Sequence, residues 1–346
     1  MPERVLSTRE LNRALLARQL LLERVRQPVA TVVERMGEVQ SQYAPSAYVG
    51  LWSRIGGLRR HQVDEALVSK RVVQGTLMRS TIHLVSRRDY HPLAAGVRRA
   101  RREWWLRTTK RPDDRALRRA ADRVRAALAD GPRTRAELLR EVDGDTQLWN
   151  GVGLWVDLVR VPPSGTWGRR RADLFATAEW WLGEASDVPE EDGLRLLATR
   201  YLAAFGPATR KDLSSWAGVP TAAFAPVLAT MRLRRFRDER GDELIDVPRA
   251  QLPDGDVPAP VRLLGTYDAV LLAHARRTEV LPERHRERVF NIHLPHSVCS
   301  FLVDGQVAGS WRVADGRVEV EAFERLSRAS RSELDEELDR VLELYR

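Results

Sequence analysis

The sequence is poor in the features on which many protein classes depend. It has one cysteine, Cys299, among 346 residues, which excludes an internal disulfide, a cysteine-ligated zinc finger and an iron–sulfur cluster. It has no apolar run of about 18 residues, which argues against a membrane-spanning helix. Its first residues, Met1-Pro2-Glu3-Arg4, lack the apolar core of a signal peptide. We therefore predict a cytoplasmic protein without a membrane partner.

Sequence motifs of several enzyme classes are also missing. There is no glycine-rich phosphate loop, which argues against a nucleotide hydrolase, and there is no nucleophile elbow. Cys299 lies in a predicted strand, where a buried structural thiol is the usual finding. His285, His293 and His296 lie close together in sequence, but no carboxylate-rich motif accompanies them. The sequence thus predicts neither a metal site nor a cofactor.

Positive charge, by contrast, is abundant. The formal net charge is +9 and the pI is about 10.3, a balance that favours a polyanionic partner. Only Lys70, Lys110 and Lys211 are lysines, and the other 54 of the 57 basic residues are arginines. A GC-rich genome produces the same bias, but arginine also binds phosphates bidentately and stacks on bases.

The N-terminal part of the chain predicts helices followed by a β-hairpin. Ser7 is typical of a helix N-cap, since Glu10 follows three residues later. Helices are predicted to about residue 22 and over 29–39, 46–55 and 61–69, and strands over 72–78 and 80–85. This is the pattern of a winged helix. In a long basic helix over 87–111, arginines surround Trp104 and Trp105 and form either a solvated face or a phosphate contact.

The same order of elements recurs twice. Helices are predicted over 116–129, 134–139 and 147–160 with a hairpin over 159–171, and again over 194–205, 209–216 and 221–231 with a hairpin over 233–247. Both copies carry Gly-Pro and then a threonine at the same place, at Gly131-Pro132 with Thr134 and at Gly206-Pro207 with Thr209. The repeat predicts tandem winged helices that bind DNA.

The C-terminal part predicts mainly β structure. A proline-rich linker over 253–260 marks its boundary. Strands predicted over 264–272 and 298–303, hairpins at Asp304-Gly305 and Asp315-Gly316, and a helix over 332–345 indicate a small β-barrel or curled sheet. We therefore predict an α+β fold with three winged helices over 1–110, 111–190 and 191–255 and a β-barrel-like domain over 256–346.

Two glutamines, Gln40 and Gln42, follow the second predicted helix. In an extended segment, side chains at i and i+2 point to the same side, so both amides would project into one small volume. The alternative is that they are polar loop residues that cap helix ends.

The glutamine pair belongs to an ordered set of motifs along the chain. The set comprises Gln40-Ser41-Gln42-Tyr43-Ala44-Pro45, Tyr48-Val49-Gly50-Leu51-Trp52-Ser53-Arg54, Gly75-Thr76-Leu77-Met78-Arg79-Ser80-Thr81-Ile82-His83-Leu84-Val85, Tyr267-Asp268-Ala269-Val270-Leu271-Leu272-Ala273-His274 and Val303-Asp304-Gly305-Gln306-Val307-Ala308-Gly309-Ser310-Trp311-Arg312. Together the motifs resemble the winged-helix DNA glycosylases of the AlkZ and YcaQ type, over essentially the whole chain.

The resemblance implies three winged helices in a concave arrangement with a C-terminal β-barrel. It also implies excision of bulky N7-alkylated purines. In the AlkZ branch it implies unhooking of interstrand crosslinks made by genotoxic natural products, and hence self-resistance. YcaQ-like members carry a carboxylate at the position of Gln42, so the sequence resembles the AlkZ form, with Gln40 and Gln42 as catalytic residues.

The chemistry of glutamine is compatible with these substrates. An amide cannot act as a general acid or base in water, but an N7-alkylguanine is already cationic and leaves without protonation. Glutamine carbonyl oxygens can hold a water at the anomeric carbon and stabilise an oxocarbenium-like transition state. No lysine lies near the glutamines in sequence, although Lys70 could approach in space, so a monofunctional glycosylase is expected.

Further residues are expected to line the lesion site or contact the DNA. Thr81 and His83 alternate along one strand and face the same side, although local hydrogen bonds within the hairpin would equally explain His83. The complete set is Tyr43, Arg79, Thr81, His83, Trp167, Arg169, Arg170, Arg171, His274 and Arg277. The expected partner is double-stranded DNA with alkylation damage, bound at the nucleoid by a monomer. The rival hypothesis is a non-catalytic transcription regulator, which would usually dimerise on two half-sites.

Overall fold

The computed structural model of the protein describes residues 4–109, 112–171, 173–183, 187–274, 278–290 and 297–346. The fold is of the α+β class, with several separate sheets. Among these residues, no helix combines the length and the apolar character that crossing a membrane requires.

The N-terminal region starts with a short strand and ends with a long basic helix. Its elements are β1 (Val5–Leu6), α1 (Thr8–Arg18), α2 (Val29–Met36), β2 (Val39–Gln40), α3 (Ala44–Trp52), α4 (Arg60–Val68), β3 (Val72–Thr76), a 3₁₀ turn (Met78–Ser80), β4 (Ile82–Ser86) and α5 (Arg87–Thr108). Ser7 and Glu10 form the predicted capping box of α1. The prediction that the second helix reaches residue 39 is wrong, because Gly37 adopts a φ of +74° and ends it. Lys110 and Arg111, at the predicted end of α5, lie outside the described residues.

The second region differs most from its prediction. Its elements are α6 (Asp114–Ala127), β5 (Arg133–Thr134), α7 (Arg135–Arg140), α8 (Thr146–Val152), β6 (Leu158–Arg160), β7 (Leu174–Thr177) and α9 (Ala178–Leu182). The helix predicted over 147–160 ends at Val152, because Leu158–Arg160 pairs with β7 as a strand. The hairpin predicted over 159–171 is instead formed by β6 and β7. Residues 161–171 are part of the connection between β6 and β7, and we call them the arginine loop.

The third and C-terminal regions complete the chain. Their elements are α10 (Glu190–Phe205), α11 (Arg210–Ala217), α12 (Thr221–Thr230), β8 (Arg234–Asp238), β9 (Glu243–Asp246), β10 (Arg262–Leu264), α13 (Arg286–Val289), β11 (Ser300–Val303), β12 (Gln306–Ala314), β13 (Arg317–Ala322) and α14 (Arg328–Tyr345). The strand predicted over 264–272 ends at Leu264. Tyr267 has a φ of +59°, and Asp268 caps a 3₁₀ turn over Ala269–Leu271.

Pairing of strands joins the regions to one another. A six-stranded sheet has the order β2-β4-β3-β6-β7-β5, and within it Gly75 of the first hairpin pairs with Val159 of the second. The N-terminal β1 runs parallel to β8 of the third region. The first and second regions therefore share one sheet, and the strand of Gln40 belongs to it.

The C-terminal sheet has the order β10-β11-β12-β13 and is antiparallel throughout. Both Asp-Gly turns join neighbouring strands, so the two predicted hairpins are confirmed. Within the described part of the chain the order of strands is open, and the predicted closed barrel is not formed. Cys299 lies just before β11 rather than within a strand.

Two glycines let α5 and α10 approach closely. A Cβ atom at Gly193 would lie 2.4 Å from the backbone nitrogen of Gly96 and 2.5 Å from the carbonyl oxygen of Pro92. Val97 and Leu197 are buried in the core on either side of this crossing. Since backbone atoms on both sides form the contact, the crossing has no room for a methyl group.

We expect Gly193→Ala to destabilise the protein by about 1–3 kcal/mol, because overpacking at this contact outweighs the better helix propensity of alanine. The measurement is the urea midpoint of unfolding. Gly153→Ala is the matched control, since Gly153 ends α8 with a φ of −64° and its Cβ would meet its nearest neighbour at 4.0 Å. Equal midpoints for the two variants would contradict the prediction.

Candidate active site

The glutamine segment forms an edge strand of the six-stranded sheet. Gly37 turns the chain out of α2, and its positive φ and closeness to Ala204, at 2.9 Å from a Cβ in this position, require a glycine. Val39 and Gln40 then pair with β4, which places Gln40 opposite His83. The sheet therefore fixes the first glutamine by backbone hydrogen bonds.

The two glutamines differ in exposure, but the side-chain carbonyl of each accepts a hydrogen bond. Gln40 is 8% exposed, whereas Gln42 is exposed at the surface. Arg79 donates from Nη2 to Oε1 of Gln40 at 3.4 Å, and the backbone N–H of Ile82 donates to Oε1 of Gln42 at 3.2 Å. Each carbonyl oxygen thus accepts one hydrogen bond from the β3–β4 hairpin and keeps one lone pair.

A buried carboxylate lies beside Gln40, and the sequence analysis missed it. Glu38 is fully buried, and its Oε2 accepts from Arg79 Nη2 at 2.9 Å and lies 3.1 Å from His83 Nε2. Burial by itself raises the pKa of the Glu38 carboxyl, but the charge of Arg79 and the hydrogen bond from His83 outweigh it and lower that pKa. Glu38 is therefore an anion, and we call Glu38, Gln40, Arg79 and His83 the buried cluster. Its position two residues before Gln40 was the available signal.

Arg79 occupies the turn between β3 and β4 in a strained conformation. Arg79 and Ser80 have φ values of +52° and +58°, in the left-handed region that residues other than glycine rarely adopt. Nη1 of Arg79 donates to the carbonyl of Trp216 at the end of α11. Gly218, the residue after that helix end, lies so close that its Cβ would be 3.0 Å from the nitrogen of Arg79. The third region thus holds this turn in place.

His83 is part of the buried cluster rather than of the surface. Its side chain has no exposure, and its Nδ1 lies 3.0 Å from the carbonyl oxygen of Thr81. Thr81 is partly exposed, and its hydroxyl donates to the carbonyl of Met78 at 3.2 Å. Of the two residues, Thr81 is therefore the one that solvent reaches.

The arginine loop lies directly beside the glutamine segment. Nη1 of Arg170 donates to the hydroxyl of Tyr43 at 2.9 Å, and its guanidinium lies 5.8 Å from the centre of the Tyr43 ring. Gln74 donates to Ser41 Oγ at 3.0 Å and to the carbonyl of Gly165 at 2.9 Å. These bonds link the loop to the residue between the two glutamines.

The three loop arginines are exposed, as a DNA contact requires. Arg169, Arg170 and Arg171 all face solvent. Arg169 also pairs with Asp173 at 3.2 Å, but both side chains are substantially exposed, so this pair is weak. The loop therefore presents concentrated positive charge next to Gln42 and Tyr43.

Trp167 anchors the loop instead of facing outward. It is 9% exposed and packs edge-on against Tyr48 at 5.6 Å and Tyr345 at 4.9 Å, with Arg60 over its ring at 5.2 Å. Its backbone N–H donates to the Tyr48 hydroxyl at 3.2 Å. In this position the ring cannot stack on a base.

His274 is not part of the buried cluster around Glu38 and Gln40. Its Nδ1 lies 3.2 Å from the hydroxyl of Tyr201, and a chain of contacts runs from there through Trp216 to Arg79. It lines a cavity of about 440 Å³ whose walls carry several carboxylates, such as Asp212. An acid-lined cavity is a poor place for a DNA phosphate. Arg277 lies outside the described residues.

The lysines that can be placed lie away from the glutamines. Lys70 Nζ sits 4.3 Å from the centre of the Trp181 ring. Lys70 lies two residues before β3, whereas Gly75, which pairs with His83, is near the other end of that strand. Lys211 lines the cavity that contains His274. Lys110 lies outside the described residues.

Other reactive groups of the described chain do not form a second centre. Within the described residues, no group of three or more His, Cys, Asp or Glu side chains is arranged to hold a metal ion. His285 is buried next to Glu324, at 3.2 Å, while His293 and His296 lie outside those residues. Burial raises the pKa of the Cys299 thiol to about 11, which keeps it protonated and unreactive.

Comparison with known proteins identifies the family of the chain. The family model described as DNA glycosylase AlkZ-like matches residues 33–344, while no curated protein matches the chain. The structure of the Streptomyces sahachiroi DNA glycosylase AlkZ is similar over 98% of this chain and 97% of its own, with a TM-score of 0.82 and 20% sequence identity. At that identity the structural match establishes the fold, and the family match covers most of the chain. The chain therefore belongs to the AlkZ-like DNA glycosylase family.

Proposed function

We propose that this DNA repair glycosylase excises bulky N7-alkylated purines from double-stranded DNA. The observation that supports this is the division of groups at the site: the amide of Gln42 is exposed, whereas the carboxylate of Glu38 is fully buried and bound by Arg79 and His83. An amide neither takes up nor releases a proton near neutral pH. The base must therefore leave without protonation, and an N7-alkylated purine does so because its ring is already cationic.

The proposed reaction is hydrolysis of the N-glycosidic bond. The bonding electron pair moves onto the base, which leaves as a neutral alkylpurine, and the sugar becomes an oxocarbenium ion. Water then adds to the anomeric carbon and loses its proton to solvent. Gln40 and Gln42 act as dipoles held in advance by Arg79 and by the backbone N–H of Ile82.

We propose a monofunctional enzyme that leaves an abasic site. A combined glycosylase and lyase would need an amine to form a Schiff base with the sugar. The position of Lys70 over Trp181 argues against that role.

The open position of the site suits bulky adducts. Gln42 and the 42% exposed Tyr43 lie at the surface beside the arginine loop, not at the base of an enclosed cavity. An exposed site does not require a lesion to be fully enclosed. We therefore include interstrand crosslinks among the proposed substrates, and resistance to a DNA-alkylating natural product as the proposed biological role.

We propose that three winged helices form the DNA-binding frame, over 1–110, 111–190 and 191–255. Each of these regions carries helices before an antiparallel hairpin, namely β3–β4, β6–β7 and β8–β9. Their linkage through shared sheets supports a single chain acting as a monomeric clamp on DNA.

Replacing both glutamines should separate catalysis from binding. We expect Gln40→Ala combined with Gln42→Ala to lower base release by at least the 10²–10³-fold that one lost catalytic dipole typically costs. DNA affinity should change little, because no net charge is removed. The measurement is single-turnover excision of N7-methylguanine, followed by alkaline cleavage of the abasic site. Gln251→Ala with Gln306→Ala, which replaces two exposed glutamines elsewhere, is the control.

Two results would contradict the proposal. Undiminished excision by the double variant would mean that the glutamines are structural. Absence of excision by the wild-type protein on every cationic adduct tested would favour a non-catalytic DNA-binding protein.

Gln42→Asp should retain measurable excision and change the preference between lesions. The shorter carboxylate can accept a proton from water, so dependence on the intrinsic lability of the adduct should fall. Rates would be compared for N7-methylguanine and for a bulkier N7 adduct. An unchanged ratio of the two rates would mean that Gln42 does not act at the reacting sugar.

The arginine loop should carry part of the electrostatic affinity. Replacing Arg169, Arg170 and Arg171 with glutamine should weaken binding to all DNA sequences and reduce the slope of log K against log salt by roughly one unit per lost phosphate contact. Replacing the exposed Arg317, Arg325 and Arg328 of the C-terminal region removes the same charge and serves as the control. Equal slopes in both triple variants would exclude a backbone contact by this loop.

A further inference from the structure

The contacts of Gln40 determine which end of its amide is held by the protein and which end is free. Arg79 lies 3.4 Å from the Gln40 amide, and a guanidinium only donates hydrogen bonds. The atom towards Arg79 must therefore be Oε1, which directs the Nε2 amino group away from it. No described residue accepts a hydrogen bond from Nε2, and that atom is not sealed from solvent. The amino group is thus the part of Gln40 that is free to bind a ligand.

Arg79 is held on both sides and cannot easily release this amide. One terminal nitrogen binds the Trp216 carbonyl, and the other binds Glu38 at 2.9 Å as well as Gln40. Its left-handed backbone is enclosed by Gly218, whose Cβ position lies 3.0 Å from the Arg79 nitrogen. The guanidinium therefore has a fixed place before any DNA binds.

Glu38 is the reason why Arg79 stays there. The carboxylate is fully buried, and its Oε1 has no partner among the residues described, so Oε2 alone is stabilised, by Arg79 and His83. A buried carboxylate without a positive partner is strongly unfavourable. Movement of Arg79 away from Glu38 is accordingly disfavoured throughout the reaction.

The hydrogen-bond donor to each glutamine carbonyl determines how well that oxygen can stabilise positive charge. The guanidinium charge cancels much of the negative potential of the Gln40 oxygen, so this oxygen is a poor stabiliser of positive charge on the sugar. The Gln42 oxygen accepts from the neutral N–H of Ile82 at 3.2 Å and keeps its negative potential. Equal roles for the two carbonyl oxygens, as the sequence suggested, do not fit this asymmetry.

We propose that Glu38 and Arg79 orient Gln40 as a hydrogen-bond donor to the departing base, while Gln42 presents its carbonyl oxygen to the sugar and the attacking water. This inference rests on the proposed base excision. The purine loses its positive charge as the glycosidic electron pair moves onto it, so its ring nitrogens become better hydrogen-bond acceptors. An N–H donor stabilises this electron density without proton transfer. Glu38 and Arg79 are positioning residues, since they act through Gln40.

The matched pair Gln40→Glu and Gln42→Glu tests the division of roles. Each substitution keeps the shape of the side chain, replaces an amino group with an oxygen and adds one negative charge. Glu at position 40 still accepts from Arg79, so the cluster can form. At saturating enzyme, we expect Gln40→Glu to slow release of N7-methylguanine on the order of 10²-fold and Gln42→Glu to slow it less, by about tenfold.

The opposite order would overturn the inference. If Gln40→Glu were as fast as Gln42→Glu, or faster, Gln40 would act through an acceptor oxygen. Loss of release by the wild-type protein would instead refute the proposed function, so the two failures are distinguishable.

The positioning role of Glu38 is tested by coupling to Gln40. Glu38→Gln should slow base release by roughly tenfold or more, because small misplacements of a catalytic group are costly, while the Kd for DNA stays unchanged. Combined with Gln40→Ala, it should cause no further loss, since its effect passes through Gln40. If the rate losses of the two substitutions multiplied instead, Glu38 would act independently of Gln40. A thermal unfolding scan of each variant establishes that the folded protein is being compared.

Discussion

The ion pair between Glu38 and Arg79 is the interaction on which the site depends. A fully buried carboxylate is tolerated only with a charged partner, and that partner comes from the β3–β4 turn. The same guanidinium reaches the Trp216 carbonyl on α11 and the amide of Gln40. One side chain thus connects the glutamine strand, the first hairpin and the third region. The first and third regions also meet closely elsewhere, where α5 crosses α10 at Gly96.

The site combines a rigid interior with an open rim. Gln40 lies in strand β2 among buried charges. It is next to the β3–β4 turn, whose left-handed residues persist only because the surroundings impose them. Gln42, Tyr43 and Arg170 lie at the surface. Gln42 accepts one hydrogen bond, from the N–H of Ile82, and Arg170 donates one to the hydroxyl of Tyr43. This arrangement fixes the group proposed to act on the base while leaving the approach free. The proposed excision of bulky adducts would need this combination more than an enclosing pocket.

Local patterns in the sequence predicted the elements that depend on local contacts. The capping box at Ser7 and the Asp-Gly turn at Asp304 follow from side chains a few residues apart, and both form as predicted. Glu38 was missed because its partner, Arg79, is distant in sequence. Trp167 was predicted as a DNA contact because arginines follow it, yet Tyr345 at the other end of the chain buries it. Such long-range partners leave no periodic signal.

The arginine content also has an explanation in the fold. Several arginines are buried and bind backbone carbonyls and carboxylates together: Arg18 binds Asp246 and the carbonyl of Leu202, and Arg54 binds Asp268 and the carbonyl of Gly50. Lysine has a single charged nitrogen and cannot span two such acceptors in a plane. Because these arginines are buried and paired with carboxylates, the number of arginines overstates the positive surface available to DNA. The three exposed arginines of the arginine loop, of which Arg170 contacts Tyr43, are therefore a stronger argument for DNA contact than the number of arginines.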